Sequence, residues 1–210
     1  MKIKNYILCF SLLTASLSAL AASPYKMPLQ PLADKPGLLK IKGFGGRVFY
    51  VPSTLSTIKW GYLPNASDIP VLTVPSGATV VFDTVSHEGI IEDQGRNPVQ
   101  YFGSHGVPSR MVLNDAIEIT QSNLPHDFAK DGPHIVTGPV AIQGAEPGDV
   151  LKIDILAVTP RVPYGVISNR HGKGALPGEF PEGAKPDSDA SSADPTKFHT
   201  VSVFTPIRRT

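Results

Sequence analysis

Cysteine is almost absent: one residue, Cys9, stands in 210. It lies within an apolar run from Tyr6 to Leu20 that follows Lys2 and Lys4 and ends on Ala19-Leu-Ala-Ala22. A basic head, a short apolar core and a small-x-small site form the pattern of a secretory signal peptide, so residues 1–21 are expected to be cut near Ala22. The run is shorter than the ~20 apolar residues that span a bilayer, and no basic stop-transfer cluster follows, so no stable membrane anchor is expected after cleavage. Export to the periplasm or the exterior then removes the only thiol, which excludes disulfides and thiolate catalysis. Any metal ligand must be His, Asp or Glu.

Charge of one sign is also scarce. Nineteen Lys and Arg face eighteen Asp and Glu, a formal net charge of +1, and the two signs are interspersed. That gives no concentrated basic face for nucleic acid and no polybasic patch for a membrane. Long helical periods are missing as well, because 21 prolines and 19 glycines interrupt the chain. Met111 to Thr120 is the best stretch for a short helix. No Gly-x-Ser-x-Gly elbow, phosphate loop or dinucleotide fingerprint occurs, and Gly43-Phe-Gly-Gly46 reads as a turn.

What remains are short β-branched runs closed by turn residues. Arg47–Val51 ends at Pro52; Val71–Val74 and Ala78–Asp83 flank Pro75-Ser-Gly77; Val136–Ile142 and Val150–Val158 flank Gly144–Asp149. The expected fold is mainly β, a sandwich- or barrel-like arrangement of short strands and long loops. Residues 22–42 read as an extended lead-in, and the pattern fades after Gly165. Gly178–Pro195 reads as a surface loop, and Thr200–Phe204 opens a further strand just before Thr210. The domain is therefore expected to be incomplete.

Two polar clusters stand out. His87-Glu88 to Glu92-Asp93-Gln94 follows a predicted strand and offers carboxylates and an imidazole for proton transfer or for a divalent ion; a solvated loop is the plainer alternative. His126-Asp127, Asp131 and His134 form the second, at a spacing that fits no standard zinc motif. His105, His171 and His199 sit in Gly- or Ser-flanked loops and read as incidental.

The stretch Gly132–Leu151, G-P-H-I-V-T-G-P-V-A-I-Q-G-A-E-P-G-D-V-L, resembles the acetamidase/formamidase family of amide hydrolases. Looser matches flank it. Trp60, Asp68-Ile-Pro70 and the acidic loop lie upstream; Tyr164-Gly165, Gly172-Lys-Gly174 and Phe180-Pro181 lie downstream. The likeness spans residues 43–181, with 182–210 as loop and strand start. It implies hydrolysis of a small linear amide to a carboxylate and ammonia. Separately, a homo-oligomer is expected. His134, before a Thr-Gly-Pro turn, is then the metal ligand or acid/base. Glu92 is the best-placed carboxylate to take the proton, and Asp93 joins His134 as ligand to a divalent ion, zinc by preference, with calcium or no metal as the alternatives. Asp149 is expected only to cap its Glu-Pro-Gly turn.

Three departures qualify the likeness. Thr57 stands where the family often has His, Tyr164 where it has Trp, and no later Gly-Asp-x-His or Gly-Asp-Gly-Glu segment precedes Thr210. The alternative function is a non-catalytic exported β-sandwich that serves as a binding or interaction module.

Overall fold

A computed structural model describes residues 29–207, so the signal-peptide segment lies outside the described residues. Strands dominate: among the described residues nine are present against two α-helices, which bears out the mainly-β expectation. They form four small open sheets, and no barrel closes among the described residues. No helix there is long and apolar enough to cross a membrane.

The strand β2 (Arg47–Val51) alternates as expected, burying Val48 and Tyr50 before Pro52 ends the ladder. It pairs antiparallel with β1 (Gly37–Lys40) and parallel with β5 (Val80–Phe82). Between β4 (Leu72–Val74) and β5 the Pro75-Ser-Gly77 turn forms, with Gly77 at φ 78° and Ala78 N–H donating to the Pro75 carbonyl at 3.2 Å.

Val136–Ile142 is not one strand. It divides at the cis Gly138–Pro139 peptide into β6 (Ile135–Thr137) and β7 (Val140–Ile142). Strand β6 runs antiparallel to β3 (Ile58–Trp60), and β7 runs parallel to β4. This division also explains a second correction. The expected strand at Val150–Val158 does not form, because the run it was to pair with is taken by β3 and β4; every residue of it is exposed. A strand needs a ladder partner for its backbone groups.

The helix α2 (Asn114–Gln121) falls where a helix was expected. Gln30 Oε1 of the lead-in accepts from the Asn114 N–H at 2.8 Å and so satisfies one free amide of its first turn. The helix α1 (Pro98–Ser104) was not expected. Its start is nonetheless a common one, with Pro98 at the first helical position and the Asn97 side chain accepting from Gln100 N–H at 3.0 Å. Also unforeseen is β8 (Tyr164–Asn169), which forms an antiparallel pair with β9 (Val201–Pro206) over six residues.

Three apolar clusters hold these parts together. The largest joins Ile58 and Trp60 of β3 to Val85, Ile90, Leu113, Ala116 and Ile119. Between strands and α2 lies a buried polar network centred on Arg161. Its Nη1 donates to Asp115 Oδ2 at 2.7 Å and its Nη2 to the Leu29 carbonyl at 2.8 Å. Ser53 donates to Asp115, Tyr50 to Asp83, and Asp83 Oδ2 lies 4.0 Å from Arg161. Burial pushes the Asp83 carboxyl up, opposed by Tyr50 and Arg161.

The Arg161 side chain is 7% exposed and that of Asp115 2%. Removing one partner strands the other charge in the interior, at a cost of about 3–5 kcal/mol. Asp115→Ala should therefore lower the urea midpoint by that equivalent. The paired Asp115→Leu/Arg161→Met change should lower it less, since neither member of that ion pair is then left alone and Asp83 keeps its Tyr50 hydrogen bond.

Candidate functional site

The site is assembled where the loop after β5 meets β3 and the residues leading into β6. Gly61 sets the junction. Its φ is +93°, and a Cβ there would meet Asp131 Cβ at 2.6 Å, so only glycine fits without displacement. Gly61 N–H donates to the His134 carbonyl and Gly132 N–H to the Gly61 carbonyl, both at 2.9 Å. The indole N–H of Trp60 donates to the Pro133 carbonyl at 3.2 Å. The backbone of 132–134 is thereby pinned beside the β3–β6 pair, which presents the exposed His134.

The acidic loop folds into a 3-10 turn, Glu92–Gln94, closed by Gly95 in the left-handed region. Its three carboxylates meet different environments. The Asp93 side chain is fully buried, with Arg170 donating to both oxygens and Thr200 to one of them. Glu88 is also buried and accepts from Ser168 and Gln94, with His87 Nε2 3.0 Å from its Oε1. Burial alone would raise the Glu88 carboxyl, but the His87 ring, Ser168 and Gln94 outweigh it and hold the value at about 2.

Glu92 is different. Arg96 donates to its Oε1 at 2.9 Å, while Oε2 is buried and has no hydrogen-bond partner. The His126 ring stacks on Trp60 at 4.2 Å, and Arg96 covers Trp60 at 5.3 Å. His126 Nε2 donates to the Gly132 carbonyl at 3.2 Å, which leaves Nδ1 facing Glu92 Oε1 at 3.6 Å, too far for a hydrogen bond. The His87 and His134 rings meet edge to face at 5.1 Å, with His87 Nε2 also lacking a well-formed hydrogen bond.

Two imidazole–carboxylate pairs thus result, His87 with Glu88 and His126 with Glu92. Glu92 and His134 share no hydrogen bond, ion pair or ring contact. Asp93 and His134 do not form a ligand pair, since both Asp93 oxygens are committed to Arg170 and Thr200. No group of three or more His, Cys, Asp or Glu among the described residues is disposed to hold a metal ion. The donor set therefore does not fit the divalent ion expected from the sequence.

Sequence reasoning assigns His87 no role beyond its cluster and does not single out Arg170, Ser168 or Thr200. The signal for His87 was its adjacency to Glu88. No local signal marks Arg170, which lies 77 residues from Asp93. Of the other histidines, His105 stacks on Phe204 at 4.7 Å, His171 Nδ1 lies 3.0 Å from the Gly183 carbonyl, and His199 pairs with Asp187 at 3.0 Å. Asp149 accepts from Glu146 N–H at 2.9 Å, the turn-capping part expected of it.

The Glu88 carboxyl titrates near 4.3 in an unfolded chain and at about 2 when folded. Its contribution to stability is full above about pH 5 and is lost as pH falls through 4 towards 2. Glu88→Gln should remove about 3 kcal/mol of acid sensitivity from that window. Denaturation midpoints measured at pH 6, 4 and 2.5 should show the wild type losing stability more steeply than the variant.

Residues 116–208 match the model of the Acetamidase/Formamidase family. No curated protein and no solved structure matches the chain. The match begins later and runs further than the 43–181 span expected from the motifs. It holds His126, His134, the Gly132–Leu151 motif and the β8–β9 pair with Arg170. Over that stretch the chain is similar to the acetamidase/formamidase family.

Proposed function

We propose that the protein is an exported hydrolase of carbon–nitrogen bonds in small linear amides, releasing a carboxylate and ammonia. The family match over residues 116–208 supports this reading, and the observation that carries it to a site is the free proton-handling capacity left in the acidic loop. Glu92 Oε2 is buried without a hydrogen-bond partner, while His134 stands exposed against the ring of His87, whose Nε2 faces Glu88. An unpaired carboxylate oxygen can accept a proton from an attacking water, and an imidazole at the exposed edge can return one to the leaving amine. Glu92 acts as base, held by Arg96; His134 acts as acid/base, with the His87–Glu88 pair orienting its ring.

A non-catalytic exported β module is the second reading. It is favoured by the commitment of Glu88 and Asp93 to Arg170, Ser168, Gln94 and Thr200, which makes two of the loop's three acids structural.

Ammonia release from formamide and acetamide by the purified protein separates the two. His134→Ala and Glu92→Gln should each lower kcat/KM by about 100-fold or more, with circular dichroism unchanged. Full activity in His134→Ala would overturn the site, and no ammonia above background from either amide would leave the binding-module reading.

A further inference from the structure

The segment Val150–Val158 is the largest anomaly on the surface. Val150, Ile153, Ile155 and Val158 are 95, 72, 79 and 87% exposed, in a run that pairs with no strand among the described residues. Lys152 Nζ lies 3.1 Å from Asp154 Oδ1, which places side chains two apart on the same side, as in a strand. One side then carries Lys152 and Asp154, and the other is wholly apolar: Leu151, Ile153, Ile155. An exposed apolar edge of this kind is a template for pairing with another chain.

We propose that this segment pairs antiparallel with the same segment of a second copy, with Ile153 opposite Ile153 across a two-fold axis. Charge complementarity selects both the occupant and the register. In this register Lys152 of each copy faces Asp154 of the other, Leu151 faces Ile155 and Val150 faces Leu156, each pair occurring twice. Shifting by two residues either way sets Lys152 against Lys152 or Asp154 against Asp154. Shifting by one puts charges on the apolar side, and parallel in-register pairing opposes like charges throughout. Opposite charges directly across a ladder stabilise it and like charges destabilise it. Two-fold self-complementarity is also the usual geometry of a homodimer. The inference is independent of the proposed amide hydrolysis.

Sedimentation equilibrium of the purified protein should show a dimer. Lys152→Glu alone sets a carboxylate against Asp154 of the other copy, and Asp154→Lys alone sets an ammonium group against Lys152. Each should weaken dimerisation by about tenfold or more. The double change Lys152→Asp/Asp154→Lys restores both pairs and should restore the dimer. An equimolar mixture of the two single variants should form a heterodimer at near wild-type affinity, because every facing pair is again opposite in sign. This mixing result also shows that both variants are folded. A monomer at all concentrations would overturn the proposal, as would a dimer or larger oligomer indifferent to these charge changes.

Discussion

Arg170 is the cation on which the acidic loop depends. Its side chain is 9% exposed, paired with the fully buried Asp93 and 3.8 Å from Glu88 Oε1. Without that charge, two neighbouring carboxylates would be desolvated side by side. With it, the chain from Glu88 to Gln94 can turn inward and bury Ile90 and Ile91. The loop is also tied to the β8–β9 pair, through Thr200 to Asp93 and through Ser202 to Gln94. Because Arg170 follows β8, the β8–β9 pair and the inward-turned loop are held to each other directly.

That arrangement divides labour among neighbouring acids. Asp93 and Glu88 spend their acceptor capacity on Arg170, Thr200, Ser168 and Gln94, whereas Glu92 keeps one oxygen unpaired. A buried acceptor without a partner is costly, and this sets Glu92 apart from its two acidic neighbours. The Arg161 network is built on the same physics with a different outcome. There Asp115, Asp83, Ser53 and Tyr50 surround the cation, and the network joins strands to α2.

Much of the fold was legible locally. β2, β4, β5, α2 and β9 follow from short alternating or periodic runs, most of them ended by Pro or Gly. The misses have physical causes. Helix α1 begins on an Asn-Pro start that was readable, but a seven-residue helix carries too little periodicity to announce itself. Strand β8 is punctuated by Gly165 and exists through its six-residue register with β9. The run at Val150–Val158 has a long strand pattern and forms none, since pattern supplies a face and pairing supplies the backbone partners.

The sequence by itself determined the mainly-β class, the turns, the apolar faces and the supply of histidines and carboxylates from which a site is made, because these follow from local sterics and residue chemistry. It also carried the motif around His134. Only the tertiary structure decided which of those groups are free. Whether a carboxylate is a structural anchor or an available base depends on which donors meet it. Those donors come from as far as 107 residues away, as Thr200 does for Asp93. Local sequence contains no record of such meetings; packing does.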